Sequence, residues 1–281
     1  MTPLLRTSRL RLSQGQLFWR EMGHGTHLVF LHGSWADGDQ WLPLMEKLSD
    51  RYHCLAPDLL GFGESERPKL KYSVNLQVDC LAEYLEKLKL KQCYLVGHSL
   101  GGWIAASYAL KHLDQVRGLI LIGPEGVETR LKGRWSLDRW LFGQIPLFPW
   151  LLRLVQPLAK LFRIHQKIQA LFARRRQWRR SPVAAKLLFR RRATEITAEL
   201  LDGRLQWLKV PTLLVQGEAD EMTVRALSVT YAGQLPDVSY RQLPEFNSLN
   251  MVLTETNQLA TVIQEFIEQS RSPSVLKQPE I

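Results

Sequence analysis

The sequence GHSLGG at residues 97–102 constrains this chain more than any other feature, because it directly follows an apolar run. Its Gly-x-Ser-x-Gly spacing is typical of a nucleophile elbow, a sharp turn between a β-strand and an α-helix that exposes a serine hydroxyl. Glycine at the flanking positions lets the backbone bend that tightly. Ser99 is therefore the candidate nucleophile, and a serine in an ordinary turn is the alternative interpretation.

A serine nucleophile needs a base, and the chain has none in the usual place. In sheets that carry this elbow, an acid and then a histidine follow the serine along the chain. The last of the seven histidines is His165, and the C-terminal 116 residues contain no other. The sequence thus combines an intact elbow with a missing histidine.

Apolar runs alternate with amphipathic stretches through most of the chain. This alternation predicts an α/β fold with a mostly parallel, doubly wound sheet. The predicted strands are 10–13, 16–21, 28–31, 52–57, 93–97, 116–122, 212–216 and 238–243, and the predicted helices are 39–48, 75–88, 100–113, 223–232 and 254–269.

The alternation stops between Gly126 and about Leu208, where no strand-like run occurs and helical stretches rich in Leu, Phe, Trp and Arg dominate. We interpret residues 127–208 as a helical cap inserted into the sheet. The predicted core then comprises residues 1–126 and 209–270. Residues 271–281 are predicted to form a disordered tail.

The positive charge is concentrated in the predicted cap. The chain has a net charge of +10, yet residues 127–192 contain 17 Lys or Arg against 2 acids, which leaves the remainder at −5. No recognition motif accompanies this charge, so nucleic acid is excluded as a partner. No stretch of 18 apolar residues predicts a transmembrane helix.

Apolar and aromatic residues beside dense arginine in the cap are typical of a helix that lies on anionic lipid. The alternative is that the apolar face covers a pocket and the arginines are solvated. The candidate membrane-contact residues are Arg174, Arg175, Arg176, Arg179 and Arg180.

The three cysteines, Cys54, Cys80 and Cys93, show no metal-ligand spacing, and the N-terminus does not have the pattern of a signal peptide. We expect a reduced, cytoplasmic chain that is either free or peripheral at a membrane. No metal and no cofactor are predicted.

Four segments in this order resemble the α/β-hydrolase superfamily, in its esterase, C–C hydrolase and epoxide-hydrolase-like branch. They are HGSW at 32–35, PDLLGFGES at 57–65, the elbow at 97–102 and LVQGEAD at 214–220. The resemblance covers about residues 10–270 and implies an α/β-hydrolase fold.

The resemblance also implies roles for individual residues. Ser99 matches the nucleophile, and the backbone N–H groups of Ser34 and Leu100 match the oxyanion hole. Asp220 matches the acid that orients a histidine, and Glu125 matches an alternative acid. His32 and His98 match positions that shape the loop and the elbow.

The family's histidine maps to Asn250, whose side chain cannot accept a proton at neutral pH. Three explanations stay open. A histidine from elsewhere, such as His24, His32 or His165, reaches the site; Ser99 works slowly or with help from the substrate; or the chain has lost hydrolysis and binds a ligand or partner.

The sequence therefore predicts serine-nucleophile hydrolysis of a small hydrophobic ester or acyl molecule with an atypical or degraded triad. The alternative is a non-catalytic protein of the same fold that binds a lipid, a membrane surface or a protein partner.

Overall fold

The computed structural model describes residues 4–128 and 181–271, and eight strands in these residues form one sheet. The order across the sheet is β1-β2-β4-β3-β5-β6-β7-β8. The strands are β1 (Arg6–Leu12), β2 (Gly15–Met22), β3 (Thr26–Leu31), β4 (Tyr52–Pro57), β5 (Cys93–His98), β6 (Val116–Ile122), β7 (Thr212–Gly217) and β8 (Val238–Leu243).

The sheet is antiparallel at one edge and parallel elsewhere. β1 and β2 form a hairpin in which Leu12 pairs with Gly15, and β2 pairs antiparallel with β4. All pairs from β4 through β3 to β8 are parallel. The prediction of an α/β fold with a mostly parallel sheet is confirmed, and the carboxyl ends of β5, β6 and β7 meet at one edge.

The helices among the described residues cover both faces of the sheet. They are α1 (Leu42–Leu48), α2 (Val74–Lys87), α3 (Leu100–Lys111), α4 (Pro182–Phe189), α5 (Ala193–Thr197), α6 (Met222–Gln234), α7 (Ser248–Leu253) and α8 (Thr256–Arg271). Buried side chains of α2, α3, α4 and α6 belong to one hydrophobic cluster, and those of α1, α7 and α8 belong to the other.

The period of two along a strand explains why the sheet needs helices on both faces. In β3, Val29 and Leu31 lie in the first cluster, whereas Leu28 and Phe30 lie in the second. All four residues are fully buried. A continuous apolar run is what a central parallel strand requires, because neither face meets water.

The C-terminal part differs from the prediction of a single last helix over 254–269. Residues 248–253 form the additional helix α7, and α8 begins at Thr256. The Asn247 side chain caps α7 by accepting a hydrogen bond from Asn250 N at 2.8 Å. A loop predicted around Asn250 is therefore helical, because asparagine is among the best N-cap residues.

Of the predicted cap, the structure describes residues 127, 128 and 181–208. Within 181–208 lie α4, α5 and a short 3-10 turn, Leu205–Trp207. Residues 129–180, with all five candidate membrane-contact arginines, lie outside the described residues, as do residues 272–281. The division into core, cap and tail stays a prediction.

Candidate active site

Ser99 stands at the turn between β5 and α3 with a backbone conformation that few non-glycine residues adopt. Its φ is 53° and its ψ is −113°, a type of strain that costs about 1–3 kcal/mol and clusters at functional sites. A Cβ atom on Gly101 would overlap the Leu31 carbonyl oxygen. The glycine of the motif thus lets α3 approach the end of β3 closely.

Hydrogen bonds fix the elbow to the residues that follow β6. Ser99 N donates to Ile122 O at 3.1 Å, and Glu125 N donates to Ser99 O at 3.1 Å. Glu125 O in turn accepts a 2.6 Å hydrogen bond from the Tyr231 hydroxyl of α6. The backbone of Glu125 is therefore held on both sides, and its side chain is directed by that anchoring.

The Ser99 hydroxyl donates a hydrogen bond to a carboxylate. Ser99 Oγ lies 3.0 Å from Glu125 Oε1, and Glu125 is only 8% exposed. Its second oxygen, Oε2, is buried and has no hydrogen-bond partner among the described residues. A buried carboxylate oxygen without a donor lowers the stability of the folded protein. The surroundings of Glu125 must therefore hold its side chain in this position although one acceptor stays unsatisfied.

The two residues predicted to supply oxyanion donors are in segments that adjoin Ser99. A Cβ atom on Gly33 would be 3.5 Å from Ser99 Cβ, so the loop that contains Gly33 and Ser34 packs on the elbow. Leu100 is the first residue of α3, where an N–H group has no acceptor within its own helix. Both Ser34 and Leu100 are buried. This arrangement suits stabilisation of negative charge next to Ser99.

His32 is used structurally. Its Nε2 accepts a hydrogen bond from Leu59 N at 3.0 Å, which places the proton on Nδ1, and Nδ1 lies 2.9 Å from Gly33 O. Both ring nitrogens are thus engaged by the two loops that flank the elbow. Burial lowers the pKa of His32, so the ring is neutral in this role.

His98 is also buried and neutral. Burial, with a smaller contribution from the neighbouring His32 ring, which disfavours a second positive charge, lowers the pKa of His98 to about 4. A Cβ atom on Gly33 would lie 3.0 Å from His98 Nδ1, so the ring packs against the oxyanion loop. In the described part of the chain, the hydrogen bond of the Ser99 hydroxyl goes to Glu125 and to neither of these imidazoles.

His24 and His165 complete the set of histidines considered as substitutes. His24 is exposed and precedes β3, whereas Ser99 follows β5, which is parallel to β3. Six residues of strand, about 20 Å, separate the two ends. His24 therefore lies at the opposite edge of the sheet, and His165 lies outside the described residues.

Asp220 follows β7 and its carboxylate is already occupied by four donors. Gly217 N and Ser248 N donate at 2.9 and 2.8 Å, and the Gln216 amide and the Ser248 hydroxyl donate as well. A Cβ atom on Gly123 would be 2.9 Å from Ser248 Oγ. The Asp220–Ser248 pair thus lies at the ends of β6 and β7.

Asn250, the predicted position of the missing histidine, is exposed on α7. The side chain that contacts Asp220 is that of Ser248, two residues earlier. Sequence reasoning missed Ser248, although an asparagine followed by a serine before an apolar run is a recognisable helix start. No described residue of the C-terminal part offers Asp220 an imidazole.

Residues 57–65, one of the four segments that resembled the family, hold neighbouring loops together through Asp58. Asp58 is fully buried and accepts hydrogen bonds from Gly38 N and Glu64 N, each at 2.7 Å. It also forms a 2.7 Å ion pair with buried Arg20. A buried carboxylate with this many donors fixes loops near the site and leaves no free oxygen for chemistry.

We searched the described residues for metal ligands, reactive cysteines and membrane-spanning helices. These residues contain no cluster of three or more His, Cys, Asp or Glu side chains suited to a metal ion. All three cysteines are buried and unpaired, and burial raises the pKa of Cys80 and Cys93 to about 12. Across residues 4–128 and 181–271, helices are too short or too polar to cross a bilayer.

The sheet order and the strained elbow serine define a fold of the α/β-hydrolase type. A family model described as alpha/beta hydrolase fold matches residues 26–247. The chain therefore belongs to the alpha/beta hydrolase fold family, as its resemblance predicted.

Curated relatives match only part of their own length. A 2-hydroxymuconate semialdehyde hydrolase of Pseudomonas sp. (strain CF600) is 40% identical over 114 residues, which cover 38% of this chain and 39% of the relative. A 1-acylglycerol-3-phosphate O-acyltransferase ABHD5 of Rattus norvegicus is 37% identical over 130 residues, covering 43% and 37%. The chain thus spans about two fifths of these relatives.

Solved structures match nearly the whole chain. A membrane phospholipase A, described as a bacterial virulence factor, has a TM-score of 0.74 at 25% identity and covers 96% of this chain and 87% of its own. An esterase from Thermogutta terrifontis has a TM-score of 0.72 at 21% identity, with 94% and 99% covered. The second likeness concerns the fold alone.

Proposed function

We propose that this protein is a serine hydrolase that cleaves a hydrophobic ester or acyl substrate, with Ser99 as nucleophile and Glu125 as proton acceptor. The observation that carries this proposal is the 3.0 Å hydrogen bond from Ser99 Oγ to Glu125 Oε1. A general base must lie within hydrogen-bond reach of the proton it removes, and Glu125 meets this requirement.

The proposed reaction has two stages. Ser99 Oγ attacks the substrate carbonyl carbon while its proton passes to Glu125, and the tetrahedral intermediate expels the alcohol, which takes that proton. An acyl-serine remains. Water then gives a proton to Glu125 and attacks the acyl carbonyl, and collapse returns the proton to Ser99 and releases the acid.

Backbone donors stabilise the developing oxyanion in this scheme. The N–H groups of Ser34 and Leu100 supply them, which requires no particular side chain. The position of Gly33 against the elbow supports this assignment. No metal or cofactor enters any step.

We expect slow turnover. Loss of the base from a serine triad costs about 10⁶ in kcat and leaves about 10³–10⁴ over water. A carboxylate is a weaker base than imidazole, so Glu125 recovers only part of that loss. Asp220 keeps the position of the triad acid but orients Ser248 in place of a histidine.

The substrate class rests on the relatives. A semialdehyde hydrolase, an acyltransferase and a phospholipase carry names that refer to carbonyl or acyl chemistry. We extend from them only the general class, a hydrophobic acyl compound. The intact elbow and oxyanion groups fit that class.

A second candidate function is non-catalytic binding of a lipid, a membrane surface or a protein partner. The observation that favours it is the occupied carboxylate of Asp220, which accepts four hydrogen bonds, none of them from an imidazole of the described residues. In this case the site holds an acyl group or a carbonyl without turning it over.

We also propose a contact with anionic membranes through the basic arginines outside the described residues. Each basic side chain near such a surface contributes about 1 kcal/mol. Replacing all five by Gln, at positions Arg174, Arg175, Arg176, Arg179 and Arg180, should abolish salt-sensitive cosedimentation with anionic vesicles. Unchanged cosedimentation contradicts this contact.

Covalent labelling tests the catalytic proposal. The unmodified protein should react with a fluorescent organophosphonate and hydrolyse short and medium p-nitrophenyl esters, and Ser99→Ala should do neither. Ser107→Ala is the matched control, since Ser107 is a buried serine on the same helix whose hydroxyl has no described hydrogen-bond partner. An inert Ser99 beside tight lipid binding supports the second function.

A further inference from the structure

A basic cleft of about 330 Å³ lies where the 181–208 segment meets the loop before α2. We propose that this cleft is a binding site for a phosphate group. Five cationic side chains and one carboxylate line it: Lys71, Lys186, Arg190, Arg191, Arg192 and Glu195. The proposal does not depend on the chemistry of Ser99.

Arg191 is the fixed element of the cleft. Its side chain is 7% exposed, and its guanidinium donates to the Glu199 carboxylate and, at 3.3 Å, to Glu195 O. Glu199 also accepts hydrogen bonds from Val74 N and Asn75 N, each at 3.2 Å. Arg191 is therefore anchored through Glu199 to the start of α2, which keeps its position rigid.

One donor of this anchored guanidinium is still unused. Arg191 Nε is buried and has no hydrogen-bond acceptor among the described residues. The Glu195 Oε2 atom is 3.8 Å from Arg191 Nε, beyond hydrogen-bond distance, and it too has no donor in the described part of the chain. A buried charged donor without an acceptor is destabilising, so an oxyanion in the cleft supplies what the protein lacks.

The remaining cations add positive charge to the cleft. Within residues 4–128 and 181–271, no ion pair involves Lys186, Arg190 or Arg192. Lys71 pairs with Glu195 at 2.6 Å. The Lys186 ammonium lies 5.9 Å from the centre of the Tyr72 ring, which keeps it at the cleft.

This combination selects phosphate over a simple carboxylate. A phosphate carries more charge and more acceptor oxygens than a carboxylate, and arginine forks match its geometry. The cleft is larger than the phosphate alone, so it leaves room for the group that the phosphate is attached to. Two sources provide the same chemistry: a lipid headgroup in a membrane and a soluble phosphate ester.

The test uses the whole chain and two triple variants that remove equal charge. The cleft variant is Lys186→Gln, Arg190→Gln and Arg192→Gln. The control is Lys91→Gln, Arg204→Gln and Lys209→Gln, which removes exposed cations away from the cleft. Unfolding of all three proteins by circular dichroism shows whether they fold equally.

Two binding arms separate the sources. Inorganic phosphate is titrated by ³¹P NMR line broadening, and acetate is added as a competitor to compare the affinities of the two anions. Cosedimentation uses phosphatidylcholine vesicles with and without phosphatidic acid. We expect the cleft variant to weaken binding by about tenfold or more in at least one arm, and the control to bind like the unmodified protein. An effect on free phosphate assigns a soluble ligand, and one on vesicles alone assigns a lipid headgroup.

Three results overturn the proposal: no binding in either arm, equal losses in the two variants, or binding of acetate as tight as that of phosphate.

Discussion

The carboxyl ends of β5 and β7 carry Ser99 and Asp220, and they differ in what these two polar side chains face. At β5, the Ser99 hydroxyl donates to a buried carboxylate whose second oxygen has no partner among the described residues. At β7, the Asp220 carboxylate accepts hydrogen bonds from backbone and side-chain donors. The first carboxylate therefore has unused hydrogen-bonding capacity within the described structure, whereas the second holds the start of α7 against the end of β7.

In the mechanism that we propose, the base beside the nucleophile comes from the β5 end and not from a histidine that follows β7. That base is Glu125, whose backbone is held by hydrogen bonds to Ser99 and Tyr231. The β7 end needs a donor for Asp220, and Ser248 supplies one. Changes at the two ends should therefore have separate effects.

Gly101→Ala should give the largest effect, because it breaks the β5 end itself. The added Cβ would overlap the Leu31 carbonyl oxygen, which is backbone and cannot move aside cheaply. We expect the free energy of unfolding, from urea denaturation, to fall by about 3 kcal/mol or more. Gly233→Ala is the control, since nothing lies within 4 Å of its added Cβ, and it should not destabilise. Equal stabilities would disprove the close packing at the elbow.

Acid should weaken the fold through His98, which packs beside the same elbow. Its pKa is lowered from 6.5 to about 4, chiefly by burial and to a smaller extent by the neighbouring His32. Above pH 6.5 the ring is neutral in both states. Between pH 6.5 and 4 only the unfolded chain binds the proton, so stability falls with decreasing pH by up to about 3 kcal/mol.

Comparison of two histidine variants isolates this contribution. His98→Gln should show a shallower loss of stability between pH 7.5 and 4.5 in urea titrations, whereas His112→Gln should follow the unmodified chain. If the two variants show the same slope, His98 does not stay neutral in the folded protein.

At the carboxyl ends of β5 and β7, the sequence predicted the features that depend on local contacts and missed those that depend on distant ones. The elbow, the central strands and the positions of Ser99 and Asp220 follow from runs and spacings within a few residues. The start of α7 is also local, in the Asn247 cap, but the contact of Ser248 with Asp220 is not, because the two residues are 28 positions apart. The hydrogen bond from Ser99 to Glu125 also rests on the anchoring of Glu125 O by the Tyr231 hydroxyl, a contact between residues 106 positions apart that no local motif encodes.

The basic cleft, likewise, could be predicted only in part from the sequence. The run Arg190 to Arg192 is visible in the sequence, but Lys71, which lines the same cleft, lies more than a hundred residues earlier. The burial of Arg191 and its anchoring by Glu199 depend on how the 181–208 segment packs on α2. Periodicity in one segment cannot predict such contacts between segments.

A smaller effect, on the rate of ester hydrolysis, is expected when a histidine is introduced beside Asp220 at the end of β7. Because Ser248 contacts Asp220 and Asn250 is exposed, Ser248→His should raise the rate of p-nitrophenyl ester hydrolysis by about tenfold, while Asn250→His should not. Thermal unfolding checks that the larger side chain is tolerated. A gain in Asn250→His alone would show that Asn250 holds the histidine position and that α7 rearranges.

The acylation rate of Ser99 in Glu125→Gln tests the central claim most directly. Gln keeps the size and the hydrogen bond of Glu125 but cannot take the proton, and Glu128→Gln, at an exposed position three residues on, is the matched control. In single-turnover reactions with the organophosphonate, we predict a rate about 10²–10⁴ times lower in Glu125→Gln and unchanged in Glu128→Gln. A Glu125→Gln protein that acylates as fast as the unmodified chain would contradict the account.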